Sequence, residues 1–144
     1  MRIRKQIEVA RGTVEAFDYV ADFSSAAEWD PGIAEARKLT DGPVKIGTEF
    51  DVVALFRGKQ HRFRYVVTAF EPERRIVLSG DGDRARSVDE IAFEPVREGT
   101  RITYIADFQL KGIFRPAGPF LAPVLSRMGD DALAGLKAVL DRPR

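Results

Sequence analysis

Ile3, Ile7 and Val9 stand among charged neighbours in the opening stretch MRIRKQIEV, and this pattern predicts a first strand over residues 2–9. The period then changes. Val14, Phe17 and Val20 or Ala21 follow at helical spacing, so residues 14–21 read as a short amphipathic helix. Thr13 is the expected N-cap, with Ala16 where a capping box would carry Glu. Ser24 or Ser25 is placed to cap a second short helix that stops before Pro31, because the residue preceding a proline disfavours the α region. Trp29, the only tryptophan, falls near the last turn of that helix, in SSAAEWDPGI. Its carboxylate neighbours Glu28 and Asp30 are expected to stay in water while the indole turns inward.

The middle of the chain alternates with period two. Phe50, Val52, Ala54 and Phe56 alternate with Asp51, Val53 and Leu55, and Arg57–Gly58–Lys59 signals a hairpin turn. Phe63, Tyr65, Val67 and Ala69 alternate with Arg62, Arg64, Val66 and Thr68. Glu71–Pro72–Glu73 makes the next turn, and Ile76–Leu78 is a strand. Asp81–Gly82 suits a hairpin loop, and Val88 to Phe93 is another strand. Glu98–Gly99 turns the chain into a last strand carrying Ile102, Tyr104, Ala106, Phe108 and Leu110 on one face. Five such strands in meander order imply a bent antiparallel sheet.

After Gly118–Pro119, apolar residues from Leu121 to Leu140 recur every three to four positions, which predicts one long amphipathic helix over about 119–141. Pro123 is tolerated near its start. Gly129 and Gly135 weaken it slightly and permit close approach to another element.

Composition narrows the functional classes. The chain has 144 residues, the size of one domain, and is 44% hydrophobic, enough for a real core. Lys and Arg number 23 against 22 Asp and Glu, so the net charge of +1 argues against nucleic acid as a partner. With no cysteine, disulfides and thiolate chemistry are excluded. No apolar run reaches the ~18 residues needed to span a bilayer, so stable membrane insertion is not expected. The charged start is unlike a signal peptide. A soluble cytoplasmic protein is the expectation.

Few motifs carry chemistry. His61 is the only histidine, so no two-histidine metal site exists; it reads as a solvent-facing hairpin residue in the basic cluster RGKQHRFR. GDGDRARSVDE has D-x-D spacing, but Ala85 and Arg86 occupy positions where a calcium loop needs an acid and a glycine, so it reads as a turn. Gly80 and Gly82 open no helix and form no phosphate loop. Asp107 faces outward by parity with Arg101 and Thr103. No metal and no cofactor are expected.

The stretches VEAFDYVADFSSAAEWDPGI, GPVKIGTEFDV, YVVTAFEPERRIVLSG and IAFEPVREGTRITYIADFQLKG, followed by the closing helix, resemble the START-related polyketide cyclase/dehydrase and lipid-transport superfamily. The resemblance covers nearly the whole chain. It implies one START-like ligand-binding domain over residues 1–144, with the α+β helix-grip fold. In that fold a curved antiparallel sheet wraps a long C-terminal helix, with two short helices after the first strand. It also implies a cavity between sheet and helix. The walls would come from Phe50, Val52, Phe56, Phe63, Tyr65, Tyr104 and Phe108 on the sheet and Leu121, Leu125, Met128 and Leu136 on the helix. Phe114 and Phe120 would cover the opening, and Trp29 would stand at the rim.

The expected partner is a small hydrophobic molecule such as a lipid, isoprenoid or aromatic polyketide. Burying about 300 Å² of it at ~25 cal/mol/Å² yields roughly 7 kcal/mol before entropic costs. The alternatives are an aromatase/cyclase or dehydratase and a non-catalytic interaction module, including a homodimer, with a filled core. For a cyclase, Tyr65 and Tyr104 are the candidate catalytic phenols, placed to stabilise a developing enolate.

Overall fold

The computed structural model describes residues 1–143. Seven strands, β1 (Arg2–Val9), β2 (Ile33–Lys38), β3 (Glu49–Phe56), β4 (Lys59–Glu71), β5 (Arg75–Gly82), β6 (Ala85–Val96) and β7 (Gly99–Leu110), form one antiparallel sheet. Its order is β1-β7-β6-β5-β4-β3-β2, so the first two strands in sequence are the two edges. Helices α1 (Thr13–Ala21) and α2 (Ala26–Trp29) carry the chain from one edge to the other. The sheet curls into a half-barrel around α3 (Gly118–Leu140), which is reached through a 3-10 segment, Gly112–Ala117. This is the helix-grip fold.

Six of these strands, both short helices and the long helix lie where the hydrophobic periodicity places them; β2 does not follow from it. Its sequence, IAEARK, consists largely of helix formers and charges. As an edge strand it needs only one apolar stripe, and Ile33 and Ala36 are half-buried while Glu35 and Arg37 face water. A register shift between Ile33 and Glu35 further breaks its alternation.

A second irregularity sits in β4, where the register with β5 shifts between Val67 and Ala69. The extra residue reverses parity. Phe70, not Ala69, therefore joins the inner face, where its ring meets Phe17 edge-on at 5.5 Å. Asp81 and Gly82 belong to β5, and the turn to β6 lies at Asp83–Arg84.

The caps also differ from expectation. Gly12, in an extended conformation, precedes α1, and the Thr13 hydroxyl lies 3.4 Å from that of buried Thr100 rather than on the helix end. Asp22 caps the following 3-10 turn, accepting from the Ser24 amide at 3.2 Å and its hydroxyl at 2.6 Å. The Ser25 hydroxyl donates to the Tyr19 carbonyl, so neither serine side chain caps α2.

The core fills the end of the grip nearest the C-terminus. Phe17 packs against Phe93 at 5.2 Å, and Ile76, Leu78, Ile91, Ile102 and Leu136 are fully buried around it. On α3 the buried residues are Ala132, Leu133, Leu136 and Leu140, all in the second half. Gly135 faces the backbone of Trp29: a Cβ there would overlap the Trp29 carbonyl, so only glycine lets α2 and α3 approach this closely. The first half of α3 is different. No residue from Gly118 to Asp131 is buried, and Phe120 is 82% exposed. Pro119 and Pro123 fall in this half, and Pro123 has no N–H to offer the helix ladder.

Candidate ligand pocket

The inner face beneath the first half of α3 is organised by cross-strand rows. Phe50, Tyr65, Gly80, Ser87 and Phe108 are successive partners across β3, β4, β5, β6 and β7. In the next row toward the core, Val67, Leu78, Asp89 and Ala106 are aligned in the same way. Two glycines shape the first region. The Tyr65 ring lies over Gly80, where a Cβ would come within 2.5 Å of it, and Phe63 lies over Gly82, where a Cβ would be 3.0 Å away. Bare backbone on β5 thus lets both rings lie down against the sheet instead of standing into the space below the helix.

Asp89 is a buried carboxylate in an otherwise apolar row. It accepts from the Ser87 hydroxyl at 2.5 Å and, on its other oxygen, from the Tyr104 hydroxyl. Burial raises its pKa, and those two bonds only partly offset this. The Tyr65 and Tyr104 phenols are pushed well up, first by burial and then by the Asp89 charge. Tyr65 also neighbours the Ser87 hydroxyl. Four groups from three strands therefore form one polar cluster: Tyr65, Ser87, Asp89 and Tyr104.

Asp30 extends this cluster toward the surface. It is half-buried, not solvated as expected, because α2 and the turn after it fold under α3. One carboxylate oxygen accepts from the Gly32 amide at 2.8 Å. Burial raises its pKa to about 6; the Gly32 bond opposes the rise, and the charges of Asp89 and Asp131 add to it. Glu28, by contrast, stays exposed and accepts from the Tyr19 hydroxyl at 2.8 Å.

An open cleft of about 270 Å³ lies at the surface beside Asp30, with Gly32 between them. Gly32, Leu55, Phe56, Val124 and Met128 line it, with Arg57 and Asp131 among its polar residues. Gly32 joins cleft to cluster: a Cβ on it would lie 3.2 Å from the Asp30 carboxylate and 3.3 Å from the Met128 methyl.

The residues expected to line a cavity fall into three groups. Trp29, Phe50, Val52, Phe63, Tyr65 and Leu136 are buried. Phe23 packs on Phe50 at 6.2 Å and on Tyr65 at 5.2 Å, so part of this inner surface is covered by the protein's own rings. Phe56, Tyr104, Phe108, Leu121, Leu125 and Met128 are half-buried, the condition of a wall beside open space. Phe114 and Phe120 are exposed, the former beneath the Arg84 guanidinium at 5.2 Å. Trp29 plugs the space between α2 and α3, its Nε1–H donating to Ser25 Oγ at 3.2 Å. His61 stacks edge-on against Phe56 at 6.4 Å on the hairpin. Among the described residues no group of His, Cys, Asp and Glu is arranged to hold a metal ion.

Residues 1–141 match the family described as polyketide cyclase / dehydrase and lipid transport. The chain belongs to that family. Three solved structures share its fold at low identity. TTHA0849 from Thermus thermophilus is 18% identical with a TM-score of 0.82, covering 96% of this chain and 95% of its own. A START superfamily protein from Mycobacterium smegmatis is 17% identical with a TM-score of 0.82 and 96% coverage of both chains. The Zhui aromatase/cyclase from a Streptomyces species is 14% identical with a TM-score of 0.82, covering 99% of this chain and 94% of its own. No curated protein matches the sequence. Family and fold fit either hydrophobic-ligand binding or polyketide-cyclase chemistry. Among the described residues no helix is long and apolar enough to cross a membrane.

Asp89 is the functional candidate that sequence reasoning missed. Its signal was strand parity: Phe93 and Ile91 face inward, so Asp89 and Ser87 must as well.

Proposed function

We propose that this protein binds a small, mainly apolar molecule between the curled sheet and the first half of α3. The observation that carries the reading is the contrast within α3: its second half is sealed onto the core, while its first half has no fully buried residue over a partly polar inner face. The cleft at Gly32 and Met128 is the entrance. Phe56, Phe108, Leu121, Leu125 and Met128 supply apolar wall, and Tyr65, Ser87, Asp89 and Tyr104 supply the polar inner end. Mostly apolar walls with a few convergent polar groups suit a small amphipathic guest. Organic extraction of the purified protein, followed by mass spectrometry, should release a stoichiometric apolar compound. An empty protein that also takes up no cavity-reporting dye would instead favour an interaction module with a filled core.

A second reading, cyclisation or dehydration of a polyketide, is favoured by the buried Tyr104–Asp89 pair. If the Tyr104 hydroxyl leaves Asp89 and turns to the substrate, the freed carboxylate can remove a proton next to a carbonyl while the phenol donates to the oxygen on which negative charge develops. The pocket would hold the flexible substrate near its reactive conformer. Under this reading Tyr104→Phe and Tyr65→Phe lower turnover of a polyketide substrate while binding is retained. Unchanged turnover in both variants would remove it.

A further inference from the structure

Building on the ligand-pocket reading, we infer that the preferred guest is an apolar molecule bearing a protonated amine, with the ammonium directed inward to the Asp30 and Asp89 carboxylates. Two features of the pocket support this: an excess of hydrogen-bond acceptors, and negative charge without a counter-ion.

Asp89 receives two protein hydrogen bonds and Asp30 one, whereas a carboxylate offers about four acceptor sites. The donors that face them, Ser87 and Tyr104, are already committed. The groups that act on Asp30 from the elements packed around it are Asp89 of β6 and Asp131 of α3, and the charge of Asp30 is felt in turn by Tyr65 of β4 and Tyr104 of β7. None of these is a cation.

The basic residues nearby are engaged elsewhere. Lys5, the cation on the inward parity of β1, donates to Ser126 at 2.9 Å and pairs with Asp130 at 2.8 Å, both on α3. Arg57 lies at the cleft mouth with its guanidinium 5.5 Å from the Phe56 ring. The groups from Asp131 at the cleft through Asp30 to Asp89 are therefore acidic, and the Tyr65 and Tyr104 side chains stand beside Asp89. Carboxylates beside aromatic rings in a partly dry site favour an ammonium through ion pairing and cation–π attraction. The same surroundings penalise an anionic head, which would bring a like charge beside Asp89.

Isothermal titration calorimetry of the full chain with phenylbutylamine, phenylbutanol and phenylbutanoate tests this on one apolar body with three heads. At pH about 7.5 the amine should bind roughly tenfold or more tighter than the alcohol, a difference of about 1.4 kcal/mol, with the carboxylate weakest. Lowering the pH to about 5, through the titration of Asp30, should weaken the amine and leave the alcohol unchanged. Asp30→Asn and Asp89→Asn should each erase most of the amine's advantage, read as the ratio of amine to alcohol affinity within the same variant, with urea unfolding as the separate check that each variant is folded. An undiminished ratio in both folded variants would overturn the inference. Equal affinities for the three heads, or tightest binding of the carboxylate, would overturn the inference and leave the pocket standing. Failure of all three to bind would overturn the pocket reading together with it.

Discussion

The two halves of α3 meet the same sheet on different terms. From Ala132 onward the helix is held by buried leucines and by contact between Gly135 and the Trp29 backbone. Before Ala132 it carries two prolines, leaves Phe120 in water and spans a region where the sheet presents Asp89, Ser87 and two tyrosines. Both halves have the same amphipathic period. The difference lies in what faces them: apolar side chains that interlock with the helix, or a polar cluster hydrogen-bonded within the sheet over which the helix is only half-covered. Amphipathic spacing alone therefore identifies a helix that belongs against the sheet, but not how much of it seals.

The contrast predicts unequal costs for truncation. Leu136→Ala, at a fully buried site, should destabilise the protein by about 3–4 kcal/mol in urea unfolding, because both transfer energy and packing are lost. A cost below about 1 kcal/mol would mean that the second half is not sealed as described.

The acidic region gives a smaller effect with a definite sign. The folded-state pKa of Asp30 is about 6, above its ordinary value of 3.8, so the folded protein holds this proton over a range where the unfolded chain has lost it. Its contribution to stability is thus fully present below about pH 4 and is lost as pH rises toward and through about 6. Asp30→Asn should remove that loss, stabilising the protein at pH 7 by on the order of 1–2 kcal/mol relative to wild type. Equal stability of the two proteins at pH 7, measured by denaturant unfolding, would contradict it. A gain in stability paired with weaker amine binding would show a polar group retained at a cost to the fold.

The smallest effect is expected at the exposed end. Phe120→Ala should change stability by less than about 0.5 kcal/mol, as for surface substitutions in general. If thermal melts place it beside Leu136→Ala, the distinction between the halves fails.

Much of the architecture was legible in the sequence because long periodic runs dominate it. The alternation around Phe50 and Phe63 and the three-to-four spacing after Pro119 are strong local signals, and the ordered matching stretches identified the family. What was hidden depended on tertiary context. IAEARK becomes strand β2 only because β3 offers it an edge. The bulge at β4 shifts Phe70 inward without any glycine or proline to announce it. Tyr65 and Tyr104 were recognised as inward-facing phenols, but their union through Ser87 and Asp89 required the register of four strands. Asp30 looked like a turn residue bound for water, since nothing in its neighbours reveals that α3 will lie across it.

The paired glycines of β5 have a consequence for how such a pocket changes over time. Because Gly80 and Gly82 support the Tyr65 and Phe63 rings from behind, a single methyl group added there would tip a ring forward and narrow the proposed pocket, although the new atom itself would stay behind the ring. In that reading, guest size is retuned from the floor of the sheet, with Asp89 and Tyr104 left where they are.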